Sequence, residues 1–165
     1  MKKKLIMIVC VLLMAVMATG CTTFNNFKNA FFSDSSTETV AADGTIRIGV
    51  YEPLSGEYRQ QGNEERIGIE LAHELYPEVA GKKVELIYAD NQSDMYAAET
   101  AIEELMAQNP SVILGSYGDT VTLVAGDAVK ANNVPAISIS STNPLITVNN
   151  PYYFCATFAD TKQGD

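Results

Sequence analysis

The sequence is short of positive charge. Against 20 acidic residues it carries 11 Lys and Arg, a net charge of −9 over 165 residues. A chain of that sign repels phosphate backbones, which counts against nucleic acid as a partner. Cysteine is also scarce. Of the 3 present, Cys10 and Cys21 lie near the N-terminus, and Cys155 sits in the apolar run YYFCATF as a buried thiol. No pair remains for an internal disulfide, and no spacing points to a metal. The single histidine, His73, falls on a polar flank of a predicted helix and is expected to be solvated. There is no G-x-S-x-G elbow, no Walker loop and no G-x-G-x-x-G. These absences argue against an enzyme and against a resident cofactor. The acids of ADNQSD (89–94) read as a turn and a helix cap rather than a metal site.

The apolar run at 5–17 is too short to cross a bilayer, having thirteen residues where a spanning helix needs about 20. Behind Lys2, Lys3 and Lys4 it reads as the apolar region of a signal peptide. Ala18-Thr19-Gly20-Cys21 resembles the lipobox of bacterial lipoproteins, with Ala18 where Leu is usual. That resemblance makes residues 1–20 a lipoprotein signal and Cys21 the lipidation site, anchored in the membrane. The alternative is an ordinary secretory signal cut near Gly20. Either way the remainder is exported, and loss of the three lysines takes its net charge from −9 to −12. Residues 21–44, rich in Thr, Asn, Ser and Asp, read as a tether. Phe24, Phe27, Phe31 and Phe32 are unusual in such a segment.

From Thr45 onward, strand and helix patterns alternate. Strands are expected at 46–50, 84–89, 111–115, 134–139 and 152–158. Helices are expected between them. Ile67, Leu71 and Leu75 recur at helical spacing within 62–76. Ala98, Ala101, Ile102, Leu105 and Met106 mark a second helix, and Val121, Val124, Ala125 and Ala128 a third. Pro77 with Gly81 ends the first helix, and Asn109-Pro110 the second. This alternation predicts an α/β fold, a doubly wound and mostly parallel sheet with helices on both faces, over residues 45–165. Ligands bind such sheets beyond the carboxyl ends of the strands, where strand order reverses.

That rule selects three loops. The first, 51–62, is long for a strand-to-helix connection and contains Tyr58 and Gln61. The second, GSYGD at 115–119, offers Tyr117, Gly118 and Asp119. Asp119 either meets a ligand or caps the next helix, and Tyr117 either walls a pocket or lies on the surface. The third has Ser140, Ser141 and Thr142 before Asn143-Pro144, which reads as the cap and first residue of a short helix. Hydroxyls beside helix-start amides suit a carboxylate, and they equally suit capping of a turn.

The stretch IRIGVYEPLSGEYRQQGNEERIGIELA resembles the opening of the extracellular receptors for branched-chain amino acids in ABC importers. VELIYADNQSD is similar to that family's second strand and acidic turn. The chain follows the family through the Ser-Thr-Asn-Pro end at Pro144 and on to Gln163-Gly164. The resemblance implies a periplasmic-binding-protein lobe of fold type I. It also implies a substrate-binding component that captures an amino acid or similar small polar solute and delivers it to ABC permease subunits. The positions matching Ser140, Ser141 and Thr142 would hold a ligand carboxylate, with Thr142 also reaching an ammonium, and those at Tyr117, Gly118 and Asp119 would add to them. Gln61 stands where the family often has an aromatic wall, and Asp119 where Ser is usual. The same resemblance implies that this is the N-terminal lobe of a two-lobed receptor, as a fragment or a truncated product. Tyr153 and Cys155 are then expected to lack part of their cover, and a single lobe is expected to bind poorly. The alternative from another class is a surface lipoprotein that uses this lobe for protein contact or sensing, without transport.

Overall fold

The computed structural model describes residues 44–163. The signal segment, Cys21, the tether and its four phenylalanines lie outside the described residues. The strands are β1 (Ile46–Glu52), β2 (Glu78–Val79), β3 (Lys82–Asp90), β4 (Val112–Leu114), β5 (Ala136–Ser138) and β6 (Tyr153–Cys155). The helices are α1 (Arg59–Leu75), α2 (Met95–Met106), α3 (Asp119–Asn132) and α4 (Asp160–Gln163), with a 3-10 turn at Pro144–Ile146. The sheet runs β2-β3-β1-β4-β5-β6. Every pairing is parallel except the short β2–β3 hairpin edge.

β1 is the central strand, paired along its length with β3 and over residues 48–50 with β4. Its last four residues are all buried, as expected of a parallel strand covered on both faces. Alternation sorts its side chains. A Cβ added at Gly49 would meet Leu105 at 2.9 Å, so that face looks to α2. Ile48 looks the other way, into an apolar groove beside α1. The main core lies on the α2–α3 face and is built from Tyr51, Ile102, Leu105, Ile113, Val121, Ala125 and Val129. Tyr51 is fully buried, and its hydroxyl donates to the Ala98 and Val121 carbonyls at 3.3 and 3.1 Å. Burial of apolar side chains drives this packing at about 25 cal/mol per Å².

Several expectations need correction. The Ile67, Leu71 and Leu75 stripe is more than half exposed, at 56%, 56% and 64%. α1 instead presents Ile69 to the sheet, with Gly68 and Ala72 lining the groove. His73 is not simply solvated. It lines that groove, and its Nε2 hydrogen-bonds with the Val84 carbonyl at 3.1 Å. Tyr153 is not short of cover: it is 2% exposed and its hydroxyl donates to the Gly115 carbonyl. Phe154 is the exposed aromatic of that strand. The β2 edge, carried by Glu78–Val79, is unmarked by any run of strand formers.

The connection after β1 is fixed by the turn after β3. Gly56 has φ +80, and a Cβ there would collide with the Gln92 carbonyl oxygen. Both the backbone conformation and the close approach demand glycine.

Candidate functional site

The sheet places β3 on one side of β1 and β4 on the other. Chain order therefore reverses at β1, and the loops beyond the carboxyl ends diverge there to leave a cleft. The cleft has a volume of about 540 Å³. Glu57 and Tyr58 line it from the loop after β1, and Ser93 from the turn after β3. Tyr117 and Gly118 come from the loop after β4, followed by Asp119, Thr120 and Val121 at the start of α3. Ser140, Ser141 and Thr142 come from the loop after β5.

Each loop is held by buried or half-buried polar groups. Asp90, at the end of β3, clasps the first loop. Its Oδ1 accepts from the Leu54, Ser55 and Gln92 amides at 2.8, 3.1 and 2.9 Å, and its Oδ2 from the Ser55 hydroxyl at 2.7 Å. Burial pushes the Asp90 carboxyl up, but the bonds from the Ser55 hydroxyl and the three amides outweigh it and hold it below its ordinary value. Asp94 caps α2, accepting from the Tyr96 and Ala97 amides at 2.9 Å each. ADNQSD is thus a turn and a cap.

The second and third loops are tied through Ser116, which is fully buried. Its hydroxyl accepts from the Asn91 side-chain amide at 2.7 Å. Its carbonyl accepts from the Thr122 and Ser141 hydroxyls at 3.1 and 3.0 Å, and those two hydroxyls lie 3.0 Å apart. The Ser141 carbonyl in turn accepts from the Thr157 hydroxyl at 2.7 Å. Ser141 therefore commits its hydroxyl to the scaffold. Ser140 differs: its Oγ is buried and finds no partner among the described residues, although the residue lines the cleft. The adjacent Asn143 caps the 3-10 turn as expected, accepting from the Leu145 amide at 3.0 Å. That amide is consumed by the cap.

Of the residues expected at the site, Tyr58, Tyr117, Gly118, Asp119, Ser140, Ser141 and Thr142 converge on the cleft. Gln61, in the first turn of α1, is not among its lining residues. The aromatic wall comes instead from Tyr58 and Tyr117, whose ring centroids are 5.5 Å apart at an interplanar angle of 58°. Asp119 is not the cap of α3. Gly118 holds that position without a side-chain hydrogen bond, and Asp119 is the first helical residue. Among the described residues the Asp119 carboxylate takes no hydrogen bond. Burial first, and the Asp119 charge second, raise the Cys155 thiol above its ordinary value. Glu57, Ser93, Thr120 and Val121 are not singled out as site residues by the sequence, nor are the supports Glu52, Asn91, Ser116 and Thr122. An acid wedged between a buried strand and Pro53 is the signal available for Glu52. Ser116, flanked by Gly115 and Tyr117-Gly118, carries no signal separable from its loop.

The two serines should part company on substitution. Ser141→Ala removes a buried hydroxyl that bridges Ser116 and Thr122, and should cost about 1–3 kcal/mol of stability in denaturant unfolding. Ser140→Ala should not lower stability and should raise it by up to about 1–3 kcal/mol, because no bond within the chain is lost and a buried unpartnered hydroxyl is removed. Equal losses at both positions would contradict this assignment.

The family described as periplasmic binding protein matches residues 45–165. A Leu/Ile/Val-binding protein homolog from Brucella melitensis is 26% identical over 110 residues, which are 65% of this chain and 30% of the relative. Among solved structures, a leucine binding protein from Thermotoga maritima superposes with a TM-score of 0.70 at 30% identity, covering 72% of this chain and 34% of its own. An ABC transporter solute binding protein from Rhodopseudomonas palustris, in complex with 3,4-dihydroxy benzoic acid, gives 0.66 at 26% identity, covering 70% and 32%. The chain spans about a third of the length of these relatives. The family is one of solute-binding proteins rather than enzymes. The doubly wound lobe, its cleft and these matches lead to one conclusion: the chain belongs to the periplasmic binding protein family, as a relative of its leucine-, isoleucine- and valine-binding members.

Proposed function

We propose that the cleft binds an amino-acid-like polar solute, and that the chain serves as the capture component of an ABC importer, handing the solute to permease subunits. The observation that carries this reading is the pairing of Ser140 with the start of α3. Ser140 brings a buried, unpartnered hydroxyl to the cleft. The first turn of α3 lines the same cleft and lacks a side-chain cap, so its leading N–H groups are free for an anion. Together with Thr142 they form a seat for a carboxylate.

Charge narrows the ligand further. Among the described residues, the charged side chains lining the cleft are Glu57 and Asp119, with no Lys or Arg beside them. A solute whose only charge is a carboxylate meets repulsion from both. At ~4 Å, one such pair costs on the order of 1–4 kcal/mol, depending on screening. A ligand that carries a further cationic group, beyond the ammonium that balances its carboxylate, turns the Asp119 contact into an attraction. The leucine binding protein and the dihydroxybenzoate-bound protein among the relatives mark the alternatives.

Calorimetric titration of the chain with lysine, leucine and 3,4-dihydroxybenzoate tests this. Affinities should be weak, because one lobe leaves the far side of the ligand in water, so the ranking is the readout. Lysine should bind best and dihydroxybenzoate worst. Asp119→Ser should weaken lysine and tighten leucine, each by about five- to tenfold. An order that Asp119→Ser leaves unchanged would reduce Asp119 to a helix-end charge and contradict the cation preference.

The same reading includes export and a lipid anchor on Cys21, supported by the lysines, the short apolar run and the small residues before the cysteine. Cys21→Ser should abolish incorporation of labelled palmitate and move the protein out of the membrane fraction. Continued labelling of the variant would contradict the anchor.

A further inference from the structure

Two carboxyl groups beneath the cleft take no part in the ligand chemistry above. Glu52 ends β1 and is fully buried. Its Oε2 accepts from the Tyr117 amide at 2.9 Å. Its Oε1 lies against Gly115, which has φ +111 and no room for a Cβ there. Glu65 projects from α1 into the groove that Ile48 lines, on the face of β1 that Glu52 shares, and its charge acts on the Glu52 carboxyl. Yet Glu52 Oε1 and Glu65 Oε2 are both buried with no donor among the described residues.

Ionised carboxylates only accept hydrogen bonds. Two of them can bond to each other only when one carries a proton and donates it. The titratable group acting on Glu52 is Glu65 from α1, an acid, and it favours that state. The Glu52 charge in turn raises Tyr51 beside it on β1 and Tyr153 from β6. Burial first, and the Glu65 charge second, push the Glu52 carboxyl up to about 9, against the smaller lowering by the Tyr117 amide.

We infer that Glu52 and Glu65 share one proton, and that this pair is the positioning device of the cleft, clamping the Tyr117 loop to α1. One end of the clamp holds the backbone of Tyr117. The other holds the helix that begins directly after Tyr58. Those two residues supply the aromatic wall. The pair thus sets the separation of the two sides of the wall without touching a ligand, and the inference stands whether or not the ligand is an amino acid.

A pH signature follows. The folded Glu52 carboxyl holds its proton from its ordinary 4.5 up to about 9, whereas the unfolded chain releases it near 4.5. The associated stabilisation is complete below the unfolded value. It is lost progressively as pH rises across that window.

Glu52→Gln separates the proton from the shape. Its carbonyl can accept from Tyr117, and its amide can donate to an ionised Glu65. Three measurements on the full chain test the inference. Infrared spectra at pH 7 should show a protonated carboxyl band that Glu52→Gln removes. Wild-type stability should fall between about pH 5 and 9 more steeply than that of Glu52→Gln. Hydrogen exchange at the Tyr117 amide should stay within about threefold of wild type in Glu52→Gln, and rise at least about tenfold in Glu52→Leu. Glu65→Gln too should lose the infrared band, because the introduced side-chain amide can donate to an ionised Glu52. If Glu52→Leu does not fold, Glu65→Leu serves in its place for the exchange measurement, because it cuts the tie to α1, and Tyr117 exchange should again rise. Absence of the band at pH 7, or equal pH slopes for wild type and Glu52→Gln, would overturn the shared proton. Unchanged Tyr117 exchange in Glu52→Leu would overturn the clamp. No ligand enters these tests, so their failure is distinct from failure of the binding proposal.

Discussion

A buried polar group must find a partner or cost the fold about 1–3 kcal/mol, and the cleft is organised by that constraint at Ser116. The Ser116 carbonyl cannot reach water, so Thr122 from α3 and Ser141 from the third loop both turn their hydroxyls toward it. The Ser116 hydroxyl does the same for Asn91 from the turn after β3. Three separate connections are thereby fixed around one residue. Loops are ordinarily the mobile parts of an α/β protein. Here their inner faces are cross-tied, so their outer faces present Tyr117, Ser140 and Thr142 in a set arrangement. This is preorganisation: the ordering cost is met in folding rather than in binding.

The cleft's electrostatics follow from the same distribution of groups. Asp90 and Asp94 are committed to backbone amides of loops and caps, at hydrogen-bond distances of 2.8–3.1 Å. Asp119 and Glu57 remain to face the cleft. Where an acid's hydrogen-bonding capacity is filled by amides it is a structural part, and where it is unfilled it becomes a determinant of what can approach. The contrast between Ser141 and Ser140, adjacent in sequence, follows the same rule for hydroxyls.

The alternation of strands and helices was legible because both periodicities are strong, and five of the six strands and the three long helices sit where the patterns put them. The cleft loops were legible from topology alone, since a doubly wound sheet leaves few places for a ligand. What escaped were facts that depend on facing rather than spacing. The stripe Ile67–Leu71–Leu75 has helical periodicity, but periodicity does not say which side the sheet lies on, and Ile69 is the residue that meets it. Which of three consecutive hydroxyls turns inward depends on Ser116 and Thr122, residues 25 and 19 positions away. Glu52 reads as an ordinary loop acid until its burial and its bond from the Tyr117 amide are seen.

The central claim is that the outward faces of these cross-tied loops are where a solute binds. Backbone amide NMR of the chain, titrated with lysine, tests it most directly. The account predicts saturable shifts confined to the amides of Tyr58, Tyr117, Gly118, Asp119, Ser140 and Thr142 and their immediate neighbours. Shifts centred on the apolar groove of Ile48, Ile69 and Leu114, or no saturable shift with any amino acid, would contradict it.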